Sequence, residues 1–324
     1  MKYRIPNKFK LTLLLILSFA ISQSQQQIDK TQAFLPELFS KYPNVRDLAI
    51  SEKENEMFFT IQSYLGELSI ILYSKIIDGK WSKPRVASFS GQFQDLEPFL
   101  SPDGLKLYFA SNRPISDTAQ ESKDYDIWYV ERKDFRSKWS IPINVGPPVN
   151  TKDNEFYPSV SRLNNLYFTC DGGNSKGKDD IFVSKFINGQ YLQPISMSDS
   201  INTDGYEFNG FIAADESYLI YTCYNKTGGY GSGDLYISFN KGNEQWTTSK
   251  NIGKKFNSAQ MDYCPFVHSK SGKLYFTSKR TSVNTKFVKP QTIESLLTEM
   301  NKYENGKSRI YQTDISKLIH SKFN

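Results

Sequence analysis

Four acidic residues stand at matching positions along the chain, each three residues ahead of a proline or glycine. They are Asp95, Glu155, Glu207 and Asp262. Gathered around one point, such carboxylates could bind a cation or hydrolyse a glycoside, which requires paired carboxylates about 5 to 10 Å apart. Alternatively, each acid caps backbone N–H groups of its own segment or pairs with a nearby Arg or Lys. The recurrence favours this structural role, because a catalytic set needs unlike residues with separated pKa values.

A second set of acids opens a short apolar segment in three places, at Asp126, Asp180 and Asp234. These carboxylates could pair with basic groups such as Arg113, which follows a neighbouring apolar segment. Calcium bound among loop oxygens is the alternative, since hard cations take carboxylate and carbonyl ligands. The spacing matches no EF-hand loop, so we predict no resident cofactor and leave calcium open.

The sequence contains few histidines and cysteines, which limits the catalytic and metal sites that these residues could form. The histidines are His268 and His320 alone, so a His-dependent triad or a histidine metal site is not expected. Three cysteines leave one over in any intramolecular disulfide framework. Cys170 and Cys223 occupy equivalent positions in neighbouring repeats, which are usually too far apart to bridge. We expect three buried thiols, with Cys223 and Cys264 as the pair if one forms.

These residues belong to a repeat that organises the sequence from about residue 47 onward. Its best-marked segment recurs five times, as EMFFT (56–60), KLYFA (106–110), NLYFT (165–169), YLIYT (218–222) and KLYFT (273–277). The second residues of these segments are 50, 59, 53 and 55 positions apart, a period typical of repeat architectures. Each copy holds short segments rich in aromatic and β-branched residues, separated by Gly, Pro, Asn and Asp, which predicts four strands per repeat.

Consecutive apolar residues such as Leu107, Tyr108 and Phe109 require cover on both faces of their strand. Four-stranded units that are covered on both faces and repeat about every 50 residues describe the blades of a β-propeller. We therefore predict an all-β fold, a β-propeller of five four-stranded blades, with six blades as the alternative. The outer strand that closes the ring would come either from residues 23–46 or from ISKLIH after Asp314.

The stretch SPDGLKLYFASNR, followed by DYDIWYVE, resembles the WD40-like propeller repeat of the PD40 type found in TolB-like periplasmic proteins. The resemblance covers about residues 47–324, and repeats two, three and five carry it most clearly. Repeat one departs from the pattern, with SEKENE in place of the Asp-Gly turn. Six blades, as in TolB itself, would need a repeat that the sequence does not show. The resemblance implies contacts with proteins or peptidoglycan-associated complexes of the cell envelope.

The N-terminus has the features of a secretory signal peptide over residues 1–22, with basic residues ahead of the apolar run LTLLLILSFAI. That run is about half of the ~20 residues that a membrane-spanning helix needs, and no later segment comes close. Residues 23–46 form an N-terminal segment ahead of the propeller at 47–324. The predicted repeats cover about 47–94, 95–154, 155–206, 207–261 and 262–324.

The insertion at 281–308 in the last repeat breaks the pattern. Its apolar residues Ile293, Leu296, Leu297 and Met300 follow helical spacing, which predicts one short helix with an apolar stripe. Packing of this stripe on the rim of the propeller is the structural interpretation. A docking helix for a partner is the functional one.

The net charge of the chain argues against one class of function, nucleic-acid binding. Four of the 40 Lys and Arg residues lie in the predicted signal peptide and none of the 34 acids do, so the remainder carries 36 minus 34, or +2. A near-neutral chain without a basic stripe does not indicate nucleic-acid binding. We predict a non-enzymatic, monomeric propeller, periplasmic or secreted, that binds an envelope protein or a cell-wall glycan. The alternative is a carbohydrate-binding or glycoside-cleaving propeller that uses carboxylates near the axis.

Overall fold

The computed structural model describes residues 30–53, 55–115, 124–173 and 175–321. These residues form an all-β propeller of five antiparallel blades with three short helices, which confirms the predicted fold class. Within them, no helix is long and apolar enough to cross a membrane. The predicted signal peptide at 1–22 lies outside the described residues.

The strands of each blade run from the axis outward. Ahead of the first blade lie strand β1 (Gln32–Ala33) and helix α1 (Pro36–Phe39). Blade 1 contains β2 (Asn44–Ile50), β3 (Glu56–Gln62), β4 (Ser69–Ile77) and β6 (Arg85–Val86), with β5 (Lys80–Trp81) as a side hairpin on β4. Blade 2 contains β7 (Asp95–Leu100), β8 (Lys106–Ser111), β9 (Asp126–Glu131) and β10 (Ile143–Asn144).

Blade 3 contains β11 (Glu155–Val160), β12 (Leu166–Cys170), β13 (Asp180–Ser184) and β16 (Ile195–Ser196), with a hairpin of β14 (Phe186–Ile187) and β15 (Gln190–Tyr191) beside it. Blade 4 contains β17 (Glu207–Ile212), β18 (Tyr218–Tyr224), β19 (Gly233–Gly242) and β21 (Lys250–Asn251), with β20 (Gln245–Trp246) also on β19. Blade 5 contains β22 (Asp262–His268), β23 (Lys273–Ser278) and β24 (Arg309–Asp314). Helices α2 (Ile293–Met300) and α3 (Ser316–His320) complete the set of elements.

The ring closes by joining the two ends of the repeat region. Strand β1 pairs antiparallel with β24, so it forms the fourth strand of blade 5. The closing strand therefore comes from the segment 23–46, whereas ISKLIH contributes helix α3. Helix α1 buries Phe39 against Phe34 and Phe59 directly after the closing strand. Blade 1 begins at Asn44, slightly ahead of the predicted boundary at 47.

The apolar second strands explain why the blades assemble. Leu107, Tyr108 and Phe109 are all buried, although their side chains alternate between the two faces of β8. Both faces are covered because each blade packs between two neighbours. Full burial of such a side chain contributes roughly 1.5–3 kcal/mol, so the repeated strands carry much of the stability of the ring.

Candidate functional site

Each innermost strand carries a β-bulge at the same place, and the bulges form the candidate site. The register of the pairing with the second strand shifts there in all five blades. At each bulge one non-glycine residue adopts a positive φ between 49° and 60°. These residues, which we call the axial ring, are Asp47, Glu97, Tyr157, Asn209 and Cys264. All five are buried.

Side chains of the axial ring contact one another from different blades. Arg46 donates from Nε to Asp47 Oδ1 and from one terminal nitrogen to Glu97 Oε1, both at 2.7 Å. Asn209 Nδ2 lies 3.4 Å from the same Glu97 oxygen, across the ring from blade 4 to blade 2. The Cys264 thiol donates to Asn209 Oδ1 at 3.3 Å. The bulges therefore bring five unlike side chains together at the centre of the propeller.

Threonines of the second strands hold the bulged backbone in place. In three blades the hydroxyl accepts a hydrogen bond from the bulge N–H of the next blade, namely Thr60 from Glu97 at 3.1 Å, Thr169 from Asn209 at 3.0 Å and Thr277 from Asp47 at 3.3 Å. Blade 2 has Ala110 in this position, and the N–H of Tyr157 donates instead to Glu97 Oε2 at 2.7 Å. The glutamate side chain thus replaces a hydroxyl that the sequence lacks.

Burial dominates the electrostatics of the ring. Desolvation raises the pKa of Glu97 to about 7, against the opposing effect of the Arg46 guanidinium. Burial, together with the nearby Asp47 carboxylate, raises the pKa of the Cys264 thiol well above its usual range. Asp47 Oδ2 is buried and accepts no hydrogen bond from any residue that the structure describes.

An aromatic layer lies next to the axial ring. It is on the side of the propeller where hairpin turns join the first and second strands of each blade. Phe211 packs against Phe99 and Phe266, with ring centroids 6.2 and 5.7 Å apart. Beyond this layer, a funnel of about 530 Å³ opens between the turns that join first and second strands. The aromatic layer separates the axial ring from the funnel.

The four acids predicted from the sequence open the inner strands of blades 2 to 5, and all are buried. Glu155 accepts hydrogen bonds from the N–H and hydroxyl of Thr151. Glu207 and Asp262 are bonded in the same way to the residue four positions earlier, which is Thr203 or Ser258. Burial raises the pKa of Glu155 to about 7, against the lowering effect of its hydrogen bonds with Thr151.

Two of these acids also bind arginine. Arg113 donates to Asp95 Oδ1 at 2.5 Å and to the carbonyl oxygen of Phe89 at 2.9 Å. Arg280 repeats this arrangement in blade 5, with Asp262 Oδ1 at 2.9 Å. Each of the four acids is therefore bonded within its own blade or to the connection that leads into it. Among the described residues, the only cluster of three potential metal ligands contains Asp47, Glu97 and Cys264 and none of these four.

The second set of acids binds the loops ahead of the third strands. Asp180 accepts from the N–H groups of Lys176 and Gly177 and from the hydroxyl of Ser196 in the fourth strand. Asp234 makes the equivalent contacts with Tyr230, Gly231 and Asn251, and Asp126 accepts from Asn144. Asp180 and Asp234 thus connect loop, third strand and fourth strand within one blade, and Asp126 connects the third strand to the fourth. Calcium among these loops stays the open alternative to the predicted absence of a cofactor.

Helix α2 presents its apolar stripe to solvent. Ile293, Leu297 and Met300 are 62%, 46% and 59% exposed, and Leu296 is half-buried. Thr292 caps the helix by accepting from the N–H of Ser295. Two further apolar residues, Phe287 and Val288, are exposed just before it. We call these exposed residues (Phe287, Val288, Ile293, Leu297 and Met300) the insertion surface.

The three cysteines are free and buried. Sequence reasoning identified the four acids that open the inner strands of blades 2 to 5. We call these positions, with the connections that lead into them, the blade entrances. The same reasoning missed the axial ring. The missed positions come directly before Pro98, Pro158, Gly210 and Pro265 in blades 2 to 5. A usable signal was present, because this position changes residue type in every copy while its neighbours recur.

Comparisons with known proteins extend only to the fold. The sequence matches no protein-family model and no curated protein. Among solved structures, a complex of BT0996 with RGII is 8% identical with a TM-score of 0.54, covering 83% of this protein and 86% of that one. A putative TolB from Agrobacterium tumefaciens is 13% identical with a TM-score of 0.47, covering 72% and 69% of the two proteins.

An α-L-arabinofuranosidase from Lactobacillus brevis is 12% identical with a TM-score of 0.47, covering 85% of this protein and 93% of that one. At such identities a structural likeness establishes the fold alone, and these neighbours differ in what they do. Membership of the PD40 repeat family stays a prediction from the sequence. The protein is a five-bladed β-propeller whose structural neighbours include TolB propellers and glycosidase propellers.

Proposed function

We propose that this protein is an exported, non-enzymatic β-propeller that binds a protein partner in the cell envelope through its insertion surface. The observation that carries the proposal is the exposure of Ile293, Leu297 and Met300 on one helical stripe. A contiguous apolar surface with polar surroundings is typical of a site for protein contacts. The predicted signal peptide supports export to the periplasm or beyond, and the protein would act there as a monomer.

The insertion is attached firmly enough to present that surface. Its two ends pair through a bridge between Thr281 and Asn305, and Ser282 donates to the carbonyl oxygen of Glu304. Tyr303 donates its hydroxyl hydrogen bond toward the carbonyl oxygens of Phe34 and Ile310, beside the closing strand. The two ends of the insertion are therefore anchored to the propeller at blade 5, while Ile293, Leu297 and Met300 remain exposed.

The carboxylates argue against hydrolysis. A glycosidase needs two carboxyl groups that reach a substrate from opposite sides. Asp47 and Glu97 are only 2% and 4% exposed, and both are bonded to Arg46. The four acids at the blade entrances are likewise buried and hydrogen-bonded. These carboxylates support the structure, so we favour binding over catalysis.

Point substitutions test the proposal better than removal of the insertion, because Tyr303 and Ser308 bond the propeller body. The test variant is Ile293→Asp with Leu297→Asp, and the matched control is Ile141→Asp, an apolar residue that is 82% exposed in blade 2. We expect crosslinking pull-downs from the envelope to lose their specific partner with the test variant and to keep it with the control. Thermal melting should be unchanged in both. An unchanged partner set would contradict the proposed surface.

Carbohydrate binding or cleavage is the second candidate, because Glu97 and Asp47 lie together at the axis and the pKa of Glu97 is raised to about 7. A glycan array and a hydrolysis screen test it, with Glu97→Gln, Glu155→Gln and Glu207→Gln as variants. We expect neither binding nor turnover from the wild-type protein. Turnover that disappears in a variant of unchanged fold would replace the proposed function with this one.

A further inference from the structure

A groove of about 800 Å³ opens between blades 3 and 4 and shares no residue with the insertion surface. Blade 3 lines it with Tyr167, Val183 and Met197, and the β19–β20 hairpin of blade 4 lines it with Trp246. Tyr167, Met197 and Trp246 are buried, whereas Ile195 at the mouth of the groove is 61% exposed. The volume lies in the range of about 300–1,000 Å³ that is typical of sites for small molecules.

The corresponding place between blades 1 and 2 is filled by a buried ion pair. There Arg132 donates to both carboxylate oxygens of Glu56, at 3.0 and 2.7 Å. It also donates to the carbonyl oxygen of Gly104 at 2.9 Å. The guanidinium lies over the ring of Trp139, which occupies the same position in its repeat as Trp246, at 4.3 Å from the ring centroid. Long charged side chains therefore occupy the space beside that tryptophan.

Short amides stand at these positions between blades 3 and 4. Asn240 holds the position of Arg132 in the repeat. It donates to the carbonyl oxygen of Glu216, at the turn position that Arg132 contacts in blade 2. Asn165 holds the position of Glu56. Because two short amides replace a long ion pair, the space beside the tryptophan stays open in this junction.

The polar groups that line the groove indicate what it binds. Lys185 of blade 3 pairs with Glu244 of blade 4. The Glu216 carboxylate accepts a hydrogen bond from Asn165 Nδ2 at 2.8 Å. Trp246 differs from these groups, because it is only 7% exposed and its indole N–H donates to no residue that the structure describes. An uncharged ligand with an acceptor oxygen therefore fits the groove, since a buried donor without an acceptor is costly.

We propose that the groove between blades 3 and 4 binds an uncharged aromatic small molecule whose carbonyl or ether oxygen accepts a hydrogen bond from Trp246. The rings of Tyr167, Phe186 and Trp246 line the groove, and aromatic ligands gain from edge and offset contacts with such rings. The site does not involve the insertion surface, so its failure would leave the proposed function standing.

A polarity-sensitive dye tests the site. PRODAN, a neutral aromatic ketone, is titrated with the full-length protein, and its emission should shift to the blue as about one dye binds per molecule. The test variant is Asn165→Glu with Asn240→Arg, which places in the groove the ion pair that Glu56 and Arg132 form between blades 1 and 2. This variant should keep its fold, as thermal melting measures, and lose saturable dye binding.

A second substitution covers the case in which that variant does not fold. Ile195→Asp puts a charge at the exposed mouth of the groove and should also weaken dye binding. The matched control is Ile141→Asp, an 82% exposed residue outside the groove, which should bind the dye like the wild type. Ile293→Asp with Leu297→Asp should bind it equally well. Loss of binding in that last variant would place the dye on the insertion surface and overturn the proposal.

Trp246→Phe tests the hydrogen bond, because it removes the N–H and keeps an aromatic ring. The affinity for PRODAN should fall about five-fold. The affinity for N-phenylnaphthylamine, which has no carbonyl group, should change less. A wild-type protein without saturable PRODAN binding would overturn the proposal, as would equal binding by the wild type and by Asn165→Glu with Asn240→Arg. A protein segment in the groove would be shown instead if Ile195→Asp lost a pull-down partner and the wild type bound no dye.

Discussion

The blade entrances and the axial ring differ in whether the same residue type recurs from blade to blade. At the entrances, blades repeat the same residues for the same contacts. Asn150, Asn202 and Asn257 each accept a hydrogen bond from the N–H of the residue that follows Asp126, Asp180 or Asp234 in the third strand, at 2.9, 3.0 and 2.8 Å. Each also donates back to the carbonyl oxygen of that residue.

At the axial ring, by contrast, every blade contributes a different residue to one shared network. A side chain that performs the same local task in each blade can recur unchanged, whereas side chains that meet at one point must complement each other. Repetition therefore indicates structural positions in this propeller, and divergence inside the repeat indicates positions with individual roles. Three changes test that distinction.

Breaking a buried ion pair at a blade entrance should have the largest effect. Asp95→Ala leaves the Arg113 guanidinium buried without its carboxylate, which costs about 3–5 kcal/mol of unfolding free energy. Urea denaturation measures the loss. The control is Lys106→Ala, which removes an exposed ion pair with Glu131 and should cost about 1 kcal/mol or less. Equal costs for the two variants would show that the entrance pair is not structural.

Glu97 in the axial ring should make stability depend on pH. Because its pKa in the folded state is raised to about 7, the folded protein holds a proton that the unfolded protein has lost above pH about 4.5. This contribution is fully present below the unfolded pKa and disappears as the pH rises through about 7. Stability should therefore fall across this window, by about 1 kcal/mol per pH unit, or about 3 kcal/mol in total.

Denaturation series from pH 4.5 to 7.5 on wild type and Glu97→Gln measure this effect. The variant should show a smaller decline, because its amide does not titrate. Part of the decline should persist, since burial also raises the pKa of Glu155 to about 7. Parallel curves for the two proteins would mean that Glu97 stays ionised beside Arg46.

Substitution of the repeated asparagines should cause the smallest loss of unfolding free energy. The loss should be equal in the two blades tested. Asn202→Ala and Asn257→Ala each remove two hydrogen bonds to a buried third strand, at a cost of about 2 kcal/mol. Chemical denaturation of both variants checks the prediction. Costs that differ by more than about 1 kcal/mol would show that these two blades do not use the repeated residue alike.

Local patterns made most of the fold predictable. The LYF-type strands are apolar at consecutive positions, which already requires cover on both faces and favours blades. The stripe of Ile293, Leu297 and Met300 likewise predicts helix α2 from its spacing alone. The direction that this stripe faces was not predictable, because spacing defines the sides of a helix but not what packs against them.

The candidate site was less accessible to sequence reasoning. The acids at the blade entrances attracted attention because they recur, yet their partners lie within their own blade or its entry loop, as with Asp95 and Arg113. The axial ring was not predicted, because alignment of the repeats identifies positions that share a residue type, and the members of the ring share none. Glu97 and Asn209 are 112 positions apart, and only closure of the ring brings them into contact.

The sequence by itself determined the repeat, the short strands and the five-bladed propeller, because each follows from local spacing and from apolar residues that need cover. The tertiary structure decided which strand closes the ring, which acids are neutralised by neighbours and which unlike side chains share the axis. Those outcomes depend on contacts between blades that lie far apart in the sequence. Local spacing does not specify such contacts. The burial and the charge environment of the axial residues therefore depend on closure of the ring.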